Sequence, residues 1–126
     1  MVEVTCATAF DERFDPKNVL KKDGSFWMTT GLYPHEITFS FNQPRTVNEV
    51  KFTSTGIRRV MVSACPNLAA NSFKDVAATK DLGGKDGVSI QKEVCRIANP
   101  QPIQMLKFII LDGWDDFASV QLVEFN

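Results

Sequence analysis

Residues 36–42 (EITFSFN) alternate apolar Ile37, Phe39 and Phe41 with polar Thr38, Ser40 and Asn42. This is the two-residue period of a strand, whose successive side chains leave a sheet on opposite sides. The same period marks residues 3–9 (EVTCATA), with Val4, Cys6 and Thr8 against Thr5, Ala7 and Ala9. It recurs over residues 46–55, where Val50 and Phe52 share a face, and over 57–64, where Val60, Val62 and Ala64 oppose Arg59, Met61 and Ser63. Val88, Ile90 and Val94 alternate against Ser89, Gln91 and Glu93, which predicts a strand before the break at Asn99-Pro100-Gln101-Pro102. Residues 105–111 (MLKFIIL) are apolar on nearly both faces, as in a strand at the middle of a packed sheet. Residues 117–126 read as a last strand whose phase slips between Leu122 and Val123, the mark of a bulge.

Between these runs the chain carries turn chemistry. Asp15 before Pro16 is a helix start, because the carboxylate accepts from free backbone amides and proline needs no amide partner at the first helical position. One short helical turn is expected through Leu20, with Val19 and Leu20 tucked under the domain. Lys21, Lys22, Asp23 and Gly24 then form a polar turn, Pro44 sits in another, and Gly56 and Cys65-Pro66-Asn67 end their strands. Residues 68–87 are the least periodic and are read as a connection holding one weak strand around 73–77. Residues 112–116 make a turn around Trp114. About eight strands with almost no helix predict an all-β fold, an antiparallel β-sandwich.

Composition narrows the function. A chain of 126 residues suits one domain, and a formal net charge of -1 gives no long-range attraction to nucleic acid or anionic lipid. No apolar run approaches the roughly 20 residues that span a bilayer, and residues 1–10 lack the pattern of a signal peptide, so a soluble, non-secreted protein is expected. Cys6, Cys65 and Cys95 form no CxxC pair and lie within or at the end of alternating segments; all three are expected to be buried, inert thiols in a reducing compartment. His35 is the sole histidine, which removes histidine-paired nucleophiles and multi-histidine metal sites.

Candidate chemistry is sparse. Asp11 with Glu12 and Asp115 with Asp116 are adjacent acids, but neighbours on a strand face opposite ways, so they read as solvated turn charges. Ser25, Thr29, Thr30 and Ser119 lie in no GxSxG or SxxK context, and no phosphate-binding glycine motif occurs; an enzyme is not expected. Asp23, Ser25 and nearby carbonyls, with Thr29 beyond them, offer the hard oxygens that calcium takes, although Asp23 is the loop's sole carboxylate and follows Lys21 and Lys22. Trp27 reads as the aromatic plug of the sandwich. Trp114, in an acidic turn, is expected to be exposed, to anchor a protein partner or stack on a sugar.

Three segments carry a resemblance: DERFDPKNVL, FWMTTGLYPHEITFSF and LKFIILDGWDDFASV. In order and spacing they resemble the intraflagellar transport protein twenty-five family, the discoidin-like subunits of the ciliary transport train. WMTTGLYPHE and DDFASV are the specific part, and the matching segments cover about half the chain. The resemblance implies a discoidin-like jelly roll without catalysis, present in cytoplasm and cilium. It implies a heterodimer with a Rab-like small GTPase, intraflagellar transport protein twenty-seven, within complex B, and calcium bound at the loop that leads into Trp27, for which the candidate ligands here are Asp23 and Ser25 before Trp27 and Thr29 after it. The partner surface is expected at the loops beside Trp27 and at the Trp114 turn, through Tyr33, His35, Trp114, Asp115 and Asp116. Two alternatives remain: a sugar- or phospholipid-binding discoidin module, and an intracellular discoidin scaffold of another complex.

Overall fold

The alternating segments pair into two antiparallel sheets in a computed structural model, which describes residues 2–9, 12–68, 73–84, 86 and 88–126. The strands are β1 (Val2–Ala7), β2 (Trp27–Thr30), β3 (His35–Thr46), β4 (Glu49–Thr55), β5 (Ile57–Cys65), β6 (Lys74–Asp75), β7 (Lys80–Asp81), β8 (Gln91–Arg96), β9 (Pro102–Gly113) and β10 (Phe117–Phe125). The larger sheet runs β1-β3-β9-β5-β6, with β7 also paired to β5, and the smaller runs β2-β10-β4-β8. This is a discoidin-like jelly-roll sandwich, and β9 holds the central place its sequence implies.

Core and turns follow from the side chains. Ile37, Phe39, Leu106, Phe108, Ile110, Val60 and Val62 from the larger sheet meet Trp27, Val50, Ala118 and Val120 from the smaller, all without solvent exposure. Aromatic contacts bind the sheets: Phe52 lies 4.9 Å from Phe108, and Phe125 lies 5.0 Å from Phe39, ring centre to ring centre. Asp15 caps the short 3-10 turn Pro16–Leu20, its carboxylate accepting from Lys17 N at 2.8 Å, and drops Val19 into the core. Trp27 is the expected plug, fully buried, with Nε1 donating to the Ala9 carbonyl at 2.9 Å.

Several expectations are corrected. Cys6 is exposed, not buried. The β1–β3 register shifts between Val4 and Cys6, so Val2 and Val4 face the core before the shift and Ala7 after it. Bulging turns Cys6 out. The strand expected from Val88 begins instead at Gln91, and Val88 and Ile90 stand in solvent. Pro44 lies within β3, where pairing to β9 is irregular between Ser40 and Arg45, rather than in a turn. Two short strands, β2 and β7, raise the count from about eight to ten. The slip in β10 falls between Val120 and Leu122. Asp11 and the Ala69-Ala70 step lie outside the described residues.

Candidate functional site

One end of the sandwich gathers Tyr33, Trp114, Asp115 and Asp116. Gly31, with φ at +89°, turns the chain between β2 and β3 and leaves Leu32 at the tip, 93% exposed. Tyr33 then folds back, and its hydroxyl donates to the Asp115 carbonyl at 3.1 Å. Gly113 makes room for this: a Cβ there would collide with the Tyr33 hydroxyl. Burial pushes the Tyr33 phenol above its ordinary pKa, and the charges of Asp112, Asp115 and Asp116 add to the rise, with side-chain hydrogen bonding to Thr29 acting the other way.

Trp114 is half-buried rather than exposed, because several elements hold it. Its amide donates to the Gly56 carbonyl at 2.9 Å, and Nε1 donates to the Leu82 carbonyl at 3.1 Å. Arg58 lies over the ring at 4.9 Å and pairs with Asp112 at 3.6 Å, so the indole's polar atom and a face of its ring are already engaged. His35 is buried too. Its ring meets Tyr33 edge-on at 5.5 Å and Nδ1 bonds Thr8 Oγ1 at 3.2 Å, which removes it from the contact surface expected of it. Asp115 and Asp116 are exposed, and no ion pair among the described residues uses either.

Sequence reading missed three residues here. Leu32 and Phe117 project from this end, Phe117 being 43% exposed and paired in the ladder with Thr30. Neither was singled out in the sequence, where Leu32 falls in the loop after Gly31 and Phe117 opens the last strand. Arg58, the cap on Trp114, carried no signal in the alternation of β5.

The expected calcium ligands are differently engaged. Asp23 Oδ1 accepts from Ser25 N at 3.0 Å and from the Ser25 hydroxyl, and these bonds, with Lys21 nearby, hold its carboxyl below the usual range. The Phe26 carbonyl accepts from Asn18 Nδ2 at 3.0 Å, and Lys22 pairs with Glu124 at 3.3 Å. Thr29 is buried, its hydroxyl donating to the Ala118 carbonyl at 3.4 Å. Calcium takes six to eight oxygens, and this donor set does not fit it: one carboxylate already bonded, and the Thr29 hydroxyl turned to β10. Among the described residues, no three His, Cys, Asp or Glu side chains come together as a metal cluster.

A second buried polar site is structural. Gln91 Oε1 accepts from Ser54 Oγ at 3.0 Å and from Ile57 N at 3.1 Å, while Nε2 donates to the carbonyls of Ile57 at 2.6 Å and Gly83 at 2.5 Å. One amide thereby joins β8 to the start of β5 and to the loop after β7.

Comparison with known proteins places the chain among relatives. It is 34% identical over 121 residues to intraflagellar transport protein 25 of Chlamydomonas reinhardtii, an alignment covering 95% of this chain and 62% of that protein. It is 29% identical over 124 residues to the mouse and human homologues of that protein, covering 96% of this chain and 83% of each. The chain thus spans somewhat under two thirds of the algal relative's length. No family model matches. Among solved structures, the family 32 carbohydrate-binding module of Clostridium perfringens NanJ, in complex with galactose, superposes with a TM-score of 0.82 at 15% identity over 98% of this chain and 92% of that one. A chitosan-binding module from Paenibacillus superposes at 0.76 and 12% identity, over 100% and 93%. Likeness at such identities concerns the fold alone.

Proposed function

We propose that this chain, a homologue of the intraflagellar transport protein 25 proteins, is a non-catalytic binding subunit of intraflagellar transport complex B. Its expected partner is a Rab-like small GTPase, and its place of work is the cytoplasm and the cilium or flagellum. The observation that carries this reading is the 34% identity to the algal transport protein across 95% of the chain. The loop end agrees with it in chemistry. Trp114, the residue best suited to stack on a sugar, is committed to Leu82 and Arg58, and the outward groups beside it are apolar and acidic.

Co-expression of the full chain with a Rab-like GTPase of the ciliary transport machinery tests the pairing. A single heterodimer peak on size exclusion is expected. Two separate monomer peaks, together with binding of the chain alone to a galactose-bearing glycan, would favour the carbohydrate-binding alternative instead.

A further inference from the structure

Two of the large apolar side chains standing in solvent, Leu32 and Phe117, share the loop end with Asp115 and Asp116. Exposed apolar residues are ordinary when scattered and mark interaction sites when grouped and rimmed by polar groups. These two are held in place. Leu32 lies between the Gly31 turn and Tyr33, whose hydroxyl is fastened to Asp115, and Phe117 is held by the ladder to Thr30. A main chain already held in this way loses little freedom when a partner arrives.

Charge identifies the kind of partner. Asp112 is matched by Arg58, but Asp115 and Asp116 stand in no ion pair among the described residues and leave the patch net negative. An anionic bilayer surface is repelled by such a rim, whereas a protein surface carrying lysine or arginine beside an apolar side chain complements it. We propose that Leu32 and Phe117, rimmed by Asp115 and Asp116, form the contact by which this chain docks a basic protein surface of another transport-complex subunit, with Tyr33 and Trp114 serving as positioning residues behind it. This inference rests on the transport reading given above and adds the surface and the chemistry of its partner.

The test is recovery of complex B subunits, by quantitative mass spectrometry, on tagged full chains expressed in a ciliated cell. The double variant Leu32→Asp with Phe117→Asp should recover complex B at least about tenfold less well than wild type. Val88→Asp with Ile90→Asp, which changes exposed apolar residues elsewhere, should recover it normally. Wild-type recovery should weaken as salt rises, and Asp115→Lys with Asp116→Lys should lower it at low salt. Equal recovery by wild type and the Leu32/Phe117 variant overturns the docking patch and leaves the transport reading standing. Failure of wild type itself to recover any complex B subunit overturns that reading and this partner together. Binding of the wild-type chain to phosphatidylserine vesicles, lost in the Leu32/Phe117 variant, would assign the patch to a membrane and overturn the protein partner.

Discussion

The Tyr33 hydroxyl donates to the Asp115 carbonyl at 3.1 Å, so a side chain from the β2–β3 loop holds the main chain of the β9–β10 loop. Both outward apolar residues of this end lie close to that clasp in sequence. Leu32 precedes Tyr33 directly, and Phe117 follows Asp115 by two positions. Tyr33→Phe removes the bond and keeps the ring, with an expected loss of about 0.5–1.5 kcal/mol in denaturant unfolding. Gly113→Ala, which puts a methyl where the hydroxyl lies, should cost at least as much. A Gly113→Ala variant as stable as wild type would show that the clasp does not hold the loops.

Tyr33 is the only tyrosine in the chain, so absorbance near 295 nm reports it alone. Burial first, and the charges of Asp112, Asp115 and Asp116 next, raise its pKa in the fold. Its midpoint should lie above the ordinary value of about 10. The neutral phenol is the form the fold favours. Its contribution to stability is therefore whole below the unfolded value and lost as pH climbs through the raised folded one. Asp115→Asn with Asp116→Asn should shift the midpoint back towards 10; an unmoved midpoint would deny the acidic field at this end.

Gln91 makes four hydrogen bonds with one side-chain amide. Gln91→Leu leaves the amide and carbonyl of Ile57 and the carbonyl of Gly83 without those partners, and should destabilise the protein by about 2–4 kcal/mol. Gln91→Glu keeps an acceptor for Ser54 and Ile57 N but sets oxygen against two carbonyls. Its deficit should shrink at acid pH, where the protonated carboxyl can donate again. Unfolding curves at neutral and acid pH check both variants.

Thiol labelling separates the cysteines. Cys6 is exposed while Cys65 and Cys95 are buried, and burial pushes the Cys95 thiol up to about 11. An aromatic disulfide reagent at pH 8 should react quickly with one thiol of the native protein and with all three only after denaturation. Fast reaction of two or more in the native state would contradict the placement of Cys65 and Cys95.

Calcium gives a further contrast. An ion held at Asp23 would raise the melting temperature with concentration, because a ligand of the folded state stabilises by mass action. With the Asp23 loop bonded internally, millimolar calcium against chelator should leave melting unchanged. A rise that Asp23→Asn abolishes would restore the calcium site.

What the sequence disclosed was set by how much of each element lies in its own period. Met105 to Leu111 could only suit a strand covered on both sides, and β9 is that strand. Asp15-Pro16 specified its turn by backbone chemistry alone. Gln91 was read as outward because Val88 and Ile90 looked like its buried neighbours. The phase is reversed, since an amide that bonds three main-chain groups and the Ser54 hydroxyl is worth burying, and hydropathy does not register that. Cys6 escaped for a similar reason: a single bulge reverses a face without altering the alternation. At the loop end, the aromatic and acidic composition singled out one end of the sandwich. It chose the residues that build that end, Tyr33, His35 and Trp114, over Leu32 and Phe117, which protrude from it.

A tagged full chain in a ciliated cell, imaged and purified under mild salt, tests the transport function as a whole. The expected result is signal along the cilium and co-purification of complex B subunits, with a Rab-like GTPase at a ratio near one to one. A chain absent from the cilium, and recovered with neither the GTPase nor complex B, would contradict it.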